Sequence, residues 1–253
     1  MILLLKKRTL GFMGTGLFLL CLSFGTFGTF NVALHPNMNK WKQEKLVITM
    51  VKTSQKAVAL TFDDGPDPEK TPVFLDSLEK YNAHATFFVI GNRAEKQPQI
   101  LQDMAKRGHE IANHSYSHSY SRFSSNQTAI FKEEIDTAAA LIEKITSQKP
   151  VLFRPPGGYL SDNLVNLIKD EQLTVAYWTW QQDSKDWKVG TSGTTIANHI
   201  INNIKPGQII LLHDGASNGL ETAKAVDILL DKLTKEGYQF VTMSELIKLE
   251  NKE

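Results

Sequence analysis

Thr61-Phe62-Asp63-Asp64-Gly65 sets two adjacent carboxylates after an apolar run, Ala57 to Phe62, and before Gly65-Pro66. The run reads as a short buried strand, and Gly-Pro ends it. Neighbours along a strand face opposite sides, but where the chain turns at a strand's end both side chains can project from one rim. Two carboxylates on one rim repel unless a cation sits between them or they divide the labour. His114-Ser115-Tyr116-Ser117-His118 supplies the other cation ligands, two imidazoles at i and i+4. That spacing predicts one side of a single helical turn. One aspartate with two histidines leaves a tetrahedral metal an open position, the arrangement of a catalytic zinc-type site. The residues alone do not say which aspartate is the ligand.

Three further stretches have the same character. Phe153-Arg154-Pro155-Pro156-Gly157-Gly158 follows an apolar pair, and Leu211-Leu212-His213-Asp214 ends an apolar run from Gln208. Asp183-Ser184-Lys185-Asp186-Trp187 lies between them. Alone, the Asp-Asp-Gly, histidine-pair, Arg-Pro-Pro-Gly-Gly and Leu-Leu-His-Asp stretches would read as a turn, a polar helical surface, a stiff loop and a strand with a satisfied histidine. In this order, over roughly Lys56 to Leu249, all five together resemble the polysaccharide deacetylases, also called the NodB-homology domain or carbohydrate esterase family four.

The resemblance implies a metal-dependent hydrolase that removes N-acetyl groups from N-acetylglucosamine units of an envelope polysaccharide such as peptidoglycan. Asp64, His114 and His118 would hold the metal. Zinc suits their mixed ligands, with cobalt, nickel and iron also compatible. Asp63 would be the general base, oriented by Arg154, and His213 the general acid, partnered by Asp186 or, as second choice, Asp183. A backbone N-H near Gly157 would share the oxyanion with the metal. Many relatives carry an aromatic residue where Gly157 stands, so one wall of the substrate groove is expected to be missing. Trp187 and Leu211 would line the acetyl pocket, with Tyr159, Tyr120 and Trp180 as sugar-stacking candidates. For Tyr120, Phe123 and Trp180, packing under the loops outweighs sugar contact. His84, His109 and His199 belong to no motif and read as structural.

Two rivals stand beside this reading. The same groups suit O-acetyl esters, as on acetylated xylan. A catalytically silent carbohydrate-binding wall protein is disfavoured, because every expected ligand, base and acid is present. Gly215-Ala216-Ser217-Asn218-Gly219 matches a serine-hydrolase elbow formally, but no histidine follows Ser217, so it reads as a loop and helix cap.

The N-terminus begins apolar, carries the cluster Lys6-Lys7-Arg8, and continues uncharged from Thr9 to Leu34. That stretch is long enough to cross a hydrocarbon core of about 30 Å. Residues 1–34 therefore read as a signal-anchor or a signal peptide, with the basic cluster inside and the domain outside the cytoplasm. Membrane attachment is expected if the segment is uncleaved. Cys21 is the only cysteine, so no internal disulfide exists. Removing Lys6, Lys7 and Arg8 leaves 25 basic groups against 27 acidic, and nothing suggests a nucleic-acid surface. Residues 35–55 read as a linker and edge strand, with His35 to Lys45 a polar stalk and Leu46 to Val51 the strand. Residues 56–249 form the catalytic domain.

From Ala57 onward strand-like runs alternate with helical patterns. The strands are Ala57 to Phe62, Ala85 to Ile90, Glu110 to Asn113, Val151 to Arg154, Thr174 to Trp178, Gln208 to His213 and Gln239 to Met243. Helical patterns fall at Thr71 to Tyr81, Lys96 to Arg107, Thr128 to Ser147, Asp162 to Glu171, Thr194 to Ile204, Glu221 to Lys235 and Ser244 to Leu249. The alternation predicts an α/β fold with about seven parallel strands and helices outside. Periodicity leaves an open doubly wound sheet in play. The resemblance implies a distorted (β/α) barrel, and four motifs sit at or just after strand C-termini, the catalytic face of such barrels.

Overall fold

A computed structural model describes residues 35–251. Residues 1–34, with the expected signal or anchor segment and Cys21, lie outside the described residues. The chain runs α1 (Met38–Gln43), β1 (Val47–Ile48), β2 (Ala57–Asp63), α2 (Thr71–Lys80), β3 (Ala85–Val89), α3 (Gly91–Ala94), α4 (Pro98–Lys106), β4 (Glu110–Asn113) and α5 (Tyr120–Ser124). It continues α6 (Thr128–Thr146), β5 (Leu152–Phe153), α7 (Asp162–Asp170), β6 (Thr174–Ala176), α8 (Gly193–Asn202), β7 (Ile209–His213), α9 (Gly219–Lys235), β8 (Gln239–Phe240) and α10 (Met243–Lys248). None of these helices is long and apolar enough to cross a membrane.

Seven strands pair in the order β1-β6-β5-β4-β3-β2-β7, and β8 pairs with the start of β2. Every strand ladder is parallel. The open edges approach one another through the segment after β6, where Thr179 N-H donates to Ile209 O and Asp183 bridges Leu211. The sheet is thus a curled, incompletely closed barrel, as expected.

Strand periodicity sorts the two faces. Val58, Leu60 and Phe62 of β2 point outward, into a core with Phe74 and Leu78 of α2 and Val226 and Leu229 of α9. Ala57 and Ala59 point inward with Phe88, Ala112, Leu152 and Ile209. Met243 and Leu246 of α10 belong to this inner cluster and close its floor, a helix begun by the Thr242/Glu245 capping box. Thr61 and Asp63 continue the inward register toward the opposite rim. Because both faces are covered, β2 and β3 are buried throughout, which is why they read as unbroken apolar runs.

The expected stalk is a correction. Met38 and Trp41 of α1 are buried against Leu164, Val165 and Ile168, so apolar residues spaced within a polar stretch dock it onto the domain. Leu46 to Val51 does supply the edge strand, as β1 beside β6. Strands β5, β6 and β8 are shorter than expected. After β6 the chain turns from β5 toward β7, and after β8 it enters the α10 cap.

Candidate active site

All five motifs reach one rim of the barrel. Asp63 ends β2 and is 4% exposed, while Asp64 follows in the left-handed region at φ 71°. That reversal turns both carboxylates to the rim, at a backbone cost few L-residues accept. Arg93 Nη1 holds the turn, donating to the carbonyls of Asp64 at 2.7 Å and Gly215 at 3.1 Å. Gly215 must lack a side chain, since a Cβ there would lie 2.1 Å from Asp64 O.

The histidine pair corrects the helical-turn expectation. His114 to Ser119 is a loop after β4, with Ser115 at φ 67° and His118 at φ 55°. Its folding comes from Ser115 N-H donating to Asn113 Oδ1 and His118 N-H to Ser115 Oγ. The rings still meet, 4.8 Å apart between centroids. His114 Nε2 lies 3.5 Å and His118 Nε2 3.2 Å from Asp64 Oδ1. These three side chains are the group among the described residues whose ligand atoms converge within 4.8 Å as a metal site requires.

Their protonation fits a cation. His114 Nδ1 lies 2.7 Å from the Arg154 carbonyl, which only accepts, so Nδ1 carries a hydrogen and Nε2 is the ring nitrogen turned toward Asp64. Burial, with repulsion from His114, pushes the His118 imidazole down to about 4, so it is neutral at pH 7. Burial pushes the Asp64 carboxyl up, but the side-chain contact with His114 and the positive charge of His213 outweigh it, leaving Asp64 well below the ordinary carboxylate range.

Asp63 stands beside this group with a different partner. Arg154 is fully buried, its guanidinium 4.0 Å from the Phe88 ring centroid. Nη1 donates to Asp63 Oδ1 at 2.6 Å and Thr61 Oγ1 at 2.9 Å, Nε to Ala176 O and Nη2 to Tyr177 O. With four of its five N-H groups placed, this cation holds Asp63 in one orientation.

Across the rim, His213 Nδ1 lies 2.9 Å from Asp186 Oδ1, and its backbone N-H donates to Asp186 Oδ2 at 2.8 Å. Asp186, 1% exposed, also accepts from Thr222 Oγ1. Burial pulls the His213 imidazole down, but the Asp186 charge and hydrogen bond prevail and it is pushed up to about 10. Asp186 is therefore its partner. Asp183 instead pairs with Lys185.

A groove of about 750 Å³ runs over these groups, lined by Tyr120, Gly157, Tyr159, Trp180, Trp187 and Leu211 among others. Tyr120, Trp180 and Trp187 are 58%, 54% and 46% exposed, so for Tyr120 and Trp180 the packing expectation is corrected. It holds for Phe123, buried against Phe131 and Phe153. Tyr159 lines the groove while packing on Phe131. The wall expected to be missing at Gly157 is filled from another element. Tyr120 of α5 stands where a Cβ on Gly157 would lie, 2.5 Å from its ring, and packs edge-on to His118. Gly157 takes φ 60°, and the turn's own hydrogen bonds run from Gly158 N-H to Pro155 and Tyr159 N-H to Pro156.

His84, His109 and His199 lie away from the groove, as expected. His109 accepts from Ala85 N-H, and His199 lies 3.0 Å from Gln181 O. The Gly215 to Gly219 segment is a loop leading into α9, where Asn218 fastens the carbonyls of Asp186 and Thr191. The motifs give no role to Arg93, Thr61, Thr222 or Asp214. Asp214 is fully buried, accepts from Thr71 Oγ1 and leaves Oδ1 unpartnered. No spacing marks a threonine or arginine that acts through a distant carbonyl or carboxylate.

Comparison with known proteins agrees with this arrangement. The family model for polysaccharide deacetylase matches residues 50–176. A peptidoglycan-N-acetylglucosamine deacetylase of Bacillus cereus is 41% identical over 198 residues, 78% of this chain and 91% of that protein. A peptidoglycan-N-acetylmuramic acid deacetylase of Bacillus subtilis is 41% identical over 218 residues, 83% of this chain and 44% of that protein. The structure of a family 4 acetyl xylan esterase from Clostridium thermocellum, in complex with a cobalt ion, superposes with a TM-score of 0.70 at 38% identity, over 76% of this chain and 91% of that one. The chain belongs to the polysaccharide deacetylase family.

Proposed function

We propose that this protein is a metal-dependent N-deacetylase of peptidoglycan or a related N-acetylglucosamine polymer, releasing acetate outside the cytoplasm. The convergence of Asp64, His114 and His118 between Asp63 and His213 carries the reading. A divalent metal held there, with zinc suited to the ligands and cobalt compatible, would polarise the acetyl carbonyl and lower the pKa of a water. Asp63, held in place by Arg154, accepts the proton of the attacking water. The Gly157 N-H faces the oxyanion that forms as water adds to the carbonyl carbon. His213, protonated against Asp186, gives its proton to the nitrogen as the carbon-nitrogen bond breaks. Acetate and a free amine on the sugar result. Leu211 and Trp187 enclose the acetyl methyl, and Tyr120, Tyr159 and Trp180 offer ring faces to the sugar. Residues 1–34 serve export, and 56–249 are the deacetylase domain.

The test is acetate release from purified peptidoglycan, acetylated chitooligosaccharides and an O-acetylated polymer, by protein stripped of metal and reloaded with zinc or cobalt. Metal-dependent acetate from the first or second supports the reading. Release from the ester alone transfers it to an O-acetyl esterase, and glycan binding without release leaves a binding protein.

A further inference from the structure

Helix α6 contributes no side chain to the groove, yet one of its acidic residues is turned inward. Glu134 is 3% exposed. Its Oε2 accepts from the backbone N-H of Tyr116 at 3.1 Å and Ser117 at 2.8 Å, and Oε1 accepts from Ser117 Oγ at 2.7 Å. Arg122 Nε forms an ion pair with Oε1 at 2.7 Å, its N-H not aimed along the contact. A buried carboxylate is costly unless paired, and here every partner lies just before or just after His118. That loop needs restraint, because Ser115 and His118 both hold left-handed backbone that costs of order 1 kcal/mol or more each. Arg122 also belongs to α5, which carries Tyr120 over His118 and Gly157.

We propose that Glu134 is a positioning residue that fixes the His114–His118 loop, and thereby sets the affinity of the Asp64, His114 and His118 group for a divalent cation. Without its charge the loop relaxes from its strained backbone and His118 leaves Asp64. Glutamine has one acceptor oxygen and an NH2 group, so it opposes a donor either to the two backbone N-H groups or to Arg122. The inference rests on the metal-site reading above.

Glu110 supplies the control. It accepts from Thr86 Oγ1, Ser244 N-H and Ser244 Oγ, the same kinds of partner, but at the floor of the barrel. Zinc affinity of the metal-stripped full chain is measured by competition with a chelating dye, and the visible spectrum of the cobalt-loaded protein is recorded. Glu134→Gln should weaken zinc by about 10- to 100-fold and alter the cobalt bands, the scale seen when groups behind metal ligands are removed. Glu110→Gln should lower Tm but leave affinity within about twofold. A folded Glu134→Gln that binds zinc like the parent, or a Glu110→Gln equally weakened, overturns the proposal. A parent that takes up no zinc overturns the metal-site reading itself. If Glu134→Gln does not fold, Ser117→Ala with Arg122→Gln removes two of the four partners. Weakening of about threefold or more supports the clamp, and unchanged affinity overturns it.

Discussion

Asp63 and Asp64 are chemically identical neighbours that the structure gives different partners. Arg154 takes one oxygen of Asp63, while Asp64 faces two imidazoles. Asp63→Asn should lower kcat by about 10²- to 10⁴-fold, the usual worth of a positioned base. Zinc affinity should be near normal, so paired acetate-release and zinc-binding assays separate base from ligand. For His213 the sign follows from the proposed role of general acid. An acid must hold its proton, so kcat/KM falls as pH rises through the His213 pKa, pushed up to about 10 chiefly by Asp186 against burial. Asp186→Asn removes that charge and should move the alkaline limb of the pH profile down by about one unit or more. An unmoved limb would assign it to another group.

Among elements, the histidine loop and α1 show where spacing misleads. Imidazoles at i and i+4 meet on a helix, but here two left-handed residues bring them together without one. The polar count of His35 to Lys45 hides the two residues that bind α1 to the domain. Trp41 is 4% exposed and stacks on His35. Trp41→Ala should therefore cost about 3 kcal/mol in denaturant unfolding, the low end for a large aromatic, with zinc affinity unchanged. A tether would show no loss.

For the whole molecule, the buried charges govern stability against pH. Asp214 lies fully buried under Gly65, and burial, then repulsion from Asp64 and Asp63, pushes it up to about 7 against the Thr71 hydrogen bond. A carboxyl raised on folding holds its proton better in the folded state. Its contribution is fully present below the unfolded value of 3.8 and is lost as pH rises to about 7. Asp214→Asn keeps a neutral side chain, so in metal-free protein the fall in Tm between pH 4 and 7 should shrink, by an amount equivalent to a few kcal/mol. Equal slopes for the two proteins would show that Asp214 does not titrate in this range.

The sequence by itself determined the parallel α/β plan and, through the resemblance its five motifs carry, which residues gather at the site, because runs and motifs are written locally. Apolar runs closed by turn residues fix the strands, and Asp63, Asp64, Arg154 and His213 stand at strand ends or one residue beyond, where a barrel gathers its groups. What only the tertiary structure decided depends on contacts between residues far apart in the chain. Arg93 clamps the Asp64 turn to Gly215, Thr222 completes Asp186, and Glu134 reaches the histidine loop from α6. The aromatic wall over Gly157 comes from Tyr120 for the same reason: a groove is filled by whichever side chain the packing brings there, and no local pattern records which one that is.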